Sequence, residues 1–218
     1  MTDLPTTPNT RVRRLPERGS YDRELAYPLL DAAQIAHVGF VVDAQPYVIP
    51  MLFVRIDDCI FLHGSVGSRM LQHLATGAPC CVTVTHLDGL VLARSHFNHS
   101  ANYRSVVVFG HSTLISDLQQ KERILLKLVD ALVPGRSLDG RAANRKELAA
   151  TALLEVQIEH LSVKTRSGGP KDLDDDMNLP VWAGVVPLQS AAGAPIAACD
   201  LNPDIRLPSY LQSGVYAA

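Results

Sequence analysis

His37-Val-Gly-Phe-Val-Val-Asp-Ala-Gln-Pro-Tyr-Val-Ile-Pro-Met-Leu-Phe-Val-Arg-Ile-Asp-Asp-Cys-Ile-Phe-Leu-His63 holds three β-branched and aromatic runs separated by two short polar links. The first run is His37 to Val42, the second Pro46 to Arg55, and the third Cys59 to His63. Links of two or three residues, Asp43-Ala-Gln45 and Asp57-Asp58, cannot carry a parallel crossover. They can only turn the chain back on itself, so the three runs form an antiparallel meander.

Further strands follow on both sides of a helix. Pro79 to Thr85 is nearly continuous in apolar and β-branched residues, and Leu87 to Ala93 continues it past a bend at Asp88-Gly89. Arg104 to Ser116 is another strand, and Leu153 to Arg166 alternates with period two. Helices are expected from Asp22 to about Ala36, from Ser68 (as N-cap) through Ala75, from Asp117 through about Val133, and near Asn144 to Thr151. In the third of these, Leu118, Ile124, Leu125, Leu128 and Leu132 form an apolar stripe. About six short strands broken by a few helices read as a small antiparallel barrel with helical inserts.

The ends differ from this body. Residues 1–20 carry three prolines and four arginines (Arg11, Arg13, Arg14, Arg18) without a hydrophobic period. They read as an extended arm that either lies on its own or a neighbouring subunit or meets an acidic partner. Residues 167–178, with Asp172-Leu-Asp-Asp-Asp176, read as a solvated loop. Pro180 to Pro187 is a compact apolar segment with the one tryptophan, Trp182, and residues 188–218 form a tail rich in Ala, Pro and Gly.

The 218 residues are 47% hydrophobic with a net charge of -2. A chain of this size buries roughly 70% of its unfolded surface, so disulfides and metal staples are unnecessary. The balanced charge argues against nucleic-acid binding through a global positive field. No apolar run suits a membrane span and the N-terminus lacks a signal-like apolar block, so a cytoplasmic location is expected. Cys80 and Cys81 are adjacent in a strand and point to opposite faces, which suits neither a disulfide nor a zinc site.

Chemistry concentrates in three places. Leu62-His-Gly-Ser-Val-Gly-Ser-Arg-Met70 joins a strand end to a helix start through a Gly/Ser turn. Free N–H groups, the Ser65 and Ser68 hydroxyls and the Arg69 fork are the parts of an anion site, and equally of an ordinary capped turn. Ala93-Arg-Ser-His-Phe-Asn-His-Ser-Ala-Asn-Tyr-Arg-Ser105 is dense in hydrogen-bonding groups, either for a ligand or for itself. His96 and His99 lack a third ligand at metal spacing, so no metal site is expected. Trp182 is either core or a stacking surface. No nucleophile elbow, P-loop, zinc-protease helix or dinucleotide fingerprint occurs, which directs an enzymatic reading towards cofactor chemistry.

Tyr21-Asp-Arg-Glu24, His37-Val-Gly-Phe40, Val48-Ile-Pro-Met51, Leu62-His-Gly-Ser65 with Ser68-Arg-Met70, Val82-Thr-Val-Thr85, Asp88-Gly-Leu-Val-Leu-Ala-Arg-Ser95, Asn102-Tyr-Arg-Ser-Val-Val-Val-Phe-Gly110 and Leu179-Pro-Val-Trp-Ala-Gly184 occur in this order. Together they make the chain resemble the pyridoxamine 5'-phosphate oxidase-like family, and within it the flavin-nucleotide-binding branch that includes nitroimidazole-resistance proteins. The resemblance implies a mainly β (α+β) fold, a six-stranded antiparallel FMN-binding split barrel with helical inserts over residues 21–187. It implies a homodimer with FMN at the interface and an oxidoreductase acting on a small molecule, with nitroaromatics among the acceptors. A non-catalytic flavin or haem carrier or sensor is the alternative, with His63, His96 and His99 as nitrogen donors.

By position, Val48, Ile49, Pro50, Met51 and Leu52 would follow the flavin edge, and Ser65, Ser68 and Arg69 would hold its phosphate. Thr85, Ser95, Asn102, Tyr103, Arg104 and Trp182 would approach ring or phosphate, some from the second subunit. His63 is the one catalytic candidate. The oxidase branch has basic residues along the flavin strand where this chain has Val48 to Leu52, so vitamin B6 oxidation is not implied.

Overall fold

A computed structural model describes residues 3–212, so the first two residues of the arm and the last six of the tail lie outside the described residues. The meander forms as β2 (Ile35–Val42), β3 (Gln45–Ile56) and β4 (Cys59–Ser65). Two long strands, β5 (Pro79–Leu92) and β6 (Ser100–Leu114), make a hairpin with a register shift between Leu87 and Gly89, where the sequence signalled a bend. The expected single strand from Leu153 to Arg166 is instead two, β7 (Thr151–Gln157) and β8 (His160–Arg166). Their break at Ile158-Glu159 lets β7 pair with β4 while β8 pairs with β6. Period-two alternation persists through such a break, so the pattern alone hides it.

Strands β2 to β7 close into the six-stranded barrel through the β5–β6 pairing, in the order β6-β7-β4-β3-β2-β5. A two-residue β1 (Gly19–Ser20) extends the sheet beyond β8, and β9 (Gly184–Pro187) extends it beyond β5. At Gly110, β6 passes from β8 to β7, and any Cβ there would collide with the Gln157 carbonyl. A glycine inside a strand is the sequence mark of such a close approach.

Alternate residues of each strand fill the barrel: Val38, Phe40, Leu62, Val82, Val108 and Leu154 are among them. Helix α1 (Arg23–Asp31) and α2 (Arg69–Leu74) plug the barrel with Ala26, Leu30, Leu71 and Leu74. Asp22 caps α1 as expected, but α1 ends at Asp31 and Ile35 already belongs to β2. Helix α3 (Leu118–Leu132) packs Ile124 and Leu128 on the outside of the barrel, against Val54, Phe61 and Leu153, as a second core. In the expected stripe, Lys121 takes a buried place beside Ile124 and Leu128, its ammonium donating to the Leu148 and Thr151 carbonyls at the end of α4 (Arg145–Ala150). No helix among the described residues is long and apolar enough to cross a membrane.

The arm lies on its own chain: β1 pairs with β8, and Lys164 Nζ donates to the Arg14 carbonyl. The acidic loop is not freely solvated. Asp172 accepts from the Arg94 backbone N–H and guanidinium, both at 2.8 Å, which ties it to the loop that joins β5 to β6. The tail is held at Leu188, whose N–H donates to the Asp88 carbonyl, and at Tyr210, whose hydroxyl donates to Asp139 in the turn after α3. A four-residue α5 (Ser209–Gln212) carries that tyrosine.

Candidate functional site

Strand β3 serves two neighbours in succession. Residues 45–52 pair with β2, and residues 53–56 pair with β4. Over 45–52 the other edge of β3 has no strand partner among the described residues, and this is the split in the barrel. The sequence shows why. Pro46 and Pro50 have no N–H to give a ladder, and prolines are tolerated where the missing donor faces away from the paired strand. Residues of the same parity then aim outward, so Val48 and Leu52 offer N–H groups on the open edge. The side chains here are apolar and bare: Val48 is 64% exposed and Ile49 also lies open, while Met51 packs against the core.

His63 stands one residue beyond the Phe53–Leu62 pair, where β3 leaves β4. Its Nδ1 is buried and has no hydrogen-bond partner. Burial holds the imidazole below its usual pKa, so the ring is neutral near pH 7. Beyond it the turn closes as expected. Ser65 Oγ accepts from Gly67 N–H, and Ser68 Oγ caps α2 at Leu71 N–H. Each hydroxyl keeps its own proton to donate. Helix α2 has only six residues, so its dipole is weak, and the positive charge of the turn comes from Arg69. Its guanidinium lies 4.7 Å over the Tyr47 ring, and no carboxylate among the described residues pairs with it.

The other expected residues stand apart from this group. Thr85 and Arg104 line an open cleft of about 840 Å³ between the β5–β6 hairpin and the tail, together with His86 and Asp88. Asp88 receives Arg104 bidentately at 2.9 and 2.7 Å, and that hydrogen bonding holds the Asp88 carboxyl below its usual range. His86 is fixed by Nε2 against the Leu29 carbonyl at 2.9 Å. At the far end of the hairpin, Ser95 caps the tip rather than facing a cavity, its Oγ accepting from Phe97 N–H. Asn102 accepts from the buried Arg166 and donates to the Gly168 carbonyl at 3.2 Å, so it braces a loop. Tyr103 pairs with Leu87 and Arg166 in the sheet, and Trp182 is 65% exposed, which rejects a core role.

A sequence profile of pyridoxamine 5'-phosphate oxidase matches residues 22–165, most of the barrel and both groups of residues. The chain belongs to the pyridoxamine 5'-phosphate oxidase-like family. Among solved structures of this fold, the flavocytochrome Anf3 from Azotobacter vinelandii is 37% identical over 95% of this chain and 96% of its own, with a TM-score of 0.89. The FAD and haem binding protein from Mycobacterium smegmatis is 42% identical over 90% of this chain and 96% of its own, with a TM-score of 0.86. A candidate 5-nitroimidazole antibiotic resistance protein from Bacteroides thetaiotaomicron, 21% identical over 67% of this chain and 85% of its own, shares the fold at a TM-score of 0.56. Comparison with curated proteins gives no match.

Within this family barrel, the expected site residues thus divide. Val48 to Leu52, His63, Ser65, Ser68 and Arg69 gather at the split. Thr85 and Arg104 lie in the cleft, and Ser95, Asn102 and Trp182 lie towards the hairpin end. Leu92, which pairs with Gly184 beside Trp182, is eleven residues along β5 from Cys81. That is roughly 36 Å of strand. The sequence reading missed Tyr47, which supports Arg69, and Asp88 and His86 in the cleft. In the cleft the signal is a cross-strand one that no linear pattern displays: Arg104 stands opposite His86 and reaches diagonally to Asp88 at the register shift. The thiols stay outside the site: burial pushes Cys59 and Cys80 up to about 12. No cluster of three or more metal-ligating side chains forms among the described residues.

Proposed function

We propose that the chain is a flavin-binding oxidoreductase whose working unit is a homodimer, with the flavin against the β3 edge and its phosphate at the Ser65–Arg69 turn. The observation that carries this reading is the split itself. An unpaired strand edge, an apolar face, a neutral buried-side histidine and an uncompensated guanidinium adjoin one another, and each lacks a partner that a flavin would supply. A flavin, when bound, exchanges hydride or electrons with a small acceptor. The chain's own contribution is binding and orientation. Arg69 and the two hydroxyl protons suit phosphate oxygens, the outward N–H groups of Val48 and Leu52 suit ring acceptors, and Val48, Pro50 and Leu52 exclude water. The resemblance in sequence favours FMN, whereas a relative matched over nearly its full length is described as binding FAD, so we take the flavin as FAD. We take the working unit as two chains because the hairpin-end residues Ser95, Asn102 and Trp182 lie far along the strands from the split of their own chain, whereas a two-fold partner can offer them.

His63 favours a second group as well. A neutral imidazole with an unpartnered nitrogen is the ligand form haem iron accepts. His63 suits that role better than His99, whose Nδ1 is already bonded to the Ser95 carbonyl at 3.0 Å on the exposed tip. The absorbance spectrum of the purified protein tests both readings. Two flavin bands and a Soret band are expected, with FAD identified by mass after denaturation. His63→Ala is expected to lose the Soret band and keep the flavin. A colourless protein that gains no thermal stability from added FAD or FMN overturns the proposal, since a ligand at 100 times its Kd adds about 2.7 kcal/mol.

A further inference from the structure

The tip of the β5–β6 hairpin presents an aromatic ring to open space. Phe97 is 95% exposed, at the centre of a single 3-10 turn from His96 to Asn98. The turn is well braced: Ser95 Oγ accepts from Phe97 N–H at 3.2 Å, and the Ser95 carbonyl accepts from Asn98 N–H at 3.1 Å. The chain entering the tip is pinned by the Arg94–Asp172 pair. A phenyl ring held out on a rigid support leaves its full apolar surface in water, which burial would relieve.

The bare outer face of the barrel holds a receptacle for such a ring. A shallow cavity of about 370 Å³ is lined by Gly39, Val41, Pro46, Val48, Cys81 and Phe109 among others, nearly all of them apolar. Gly39 leaves the floor open, since no side chain rises from β2 between Val48 and Cys81. Among the described residues the chain's own terminal segments are held elsewhere: the arm on β8, and the tail at Asp88 and Asp139. Phe97 cannot enter the cavity of its own chain, because Cys81 and the tip lie at opposite ends of β5.

We infer that Phe97 of one copy inserts into the Gly39–Val48–Cys81 cavity of a second copy, and that the contact is reciprocal. Each chain has one knob and one hole, as a closed two-fold interface demands. The insertion lays the hairpin across the partner's open face beside its β3 edge, which brings the Thr85–Arg104 residues of one chain to the split of the other. The inference rests on the two-chain reading above and specifies its contact.

Engineered cross-linking tests it. In a Cys199→Ser background, Phe97→Cys is oxidised with diamide at pH 8.5, because burial holds the Cys81 thiol above its usual pKa. A covalent dimer is expected, with a 97–81 linkage found by peptide mapping. It is expected to vanish on adding Cys81→Ser and to persist on adding Cys80→Ser. Light scattering before oxidation reads the oligomeric state separately. A dimer without the 97–81 linkage, or with a link that survives Cys81→Ser, overturns the knob assignment and leaves the homodimer standing. A monomer overturns both. Phe97→Ala supplies a thiol-free readout: the dimer dissociation constant is expected to rise at least tenfold with the circular dichroism spectrum unchanged, and an unchanged constant also overturns the assignment.

Discussion

The outside of the barrel is dressed in two ways. Over Val54, Phe61 and Leu153 it carries α3, whose Ile124 and Leu128 complete a second core. Over Val41, Val48, Cys81 and Phe109 it carries nothing from the described residues of its own chain, although these residues are as apolar as the first set. Both faces arise from the same strands and the same alternation. The difference is that one apolar face is satisfied in cis, so it serves stability, and the other stays bare, the face on which we propose that a ligand and a second copy sit. Exposed apolar surface of this kind marks interaction sites in proteins that otherwise bury such residues.

Substitutions on the two faces are expected to separate these roles. Leu128→Ala on the covered face opens a cavity and is expected to lower folding stability by about 2–5 kcal/mol, read by denaturant unfolding, with the flavin contacts untouched. Val48→Asp on the bare face is expected to leave the unfolding of the isolated chain within about 0.5 kcal/mol, as for other surface changes, while abolishing the dimer by light scattering. Equal losses of fold stability from the two variants would erase the distinction between the faces. Arg69→Ala removes the charge at the split, and flavin affinity is expected to fall by about 1.5–3 kcal/mol, roughly 10- to 150-fold, in a fluorescence titration. Asp88→Asn, which frees Arg104 in the cleft, is expected to change flavin affinity less than Arg69→Ala does.

The smallest effect concerns pH. His63 has a folded pKa below its unfolded value, so the unfolded chain takes up its proton first as pH falls. Stability is therefore expected to decline as pH drops from about 6.5 towards the folded pKa and to level off below it. His63→Asn is expected to flatten that slope in unfolding measured across the window. A slope unchanged by the substitution would place the titration in another group.

Much of the barrel was legible because its signals are local. The links at Asp43 and Asp57 forced the meander, Asp22, Ser68 and Asp117 announced three helix starts, and Asp88-Gly89 announced the bend in β5. The errors fell where neighbours decide. Ile35 continues an apolar helical period yet pairs with Leu52, and Leu153 to Arg166 alternates without interruption yet divides between two partners. The site was legible as a set of residues but not as an arrangement. Arg69 stands free over Tyr47, whereas Arg104 is matched by Asp88 and Asn102 is engaged by Arg166, although all three sit in equally polar stretches.

By itself the sequence determined the meander, the main helix starts and the barrel class, because caps, turns and periodicity act over a few residues. Only the tertiary structure decided that β3 leaves β2 for β4 after Leu52, that α3 covers one apolar face and not the other, and that the expected site residues divide between the β3 edge and the β5–β6 hairpin. Those outcomes depend on strand register and on long-range packing, which bring together residues far apart in the chain.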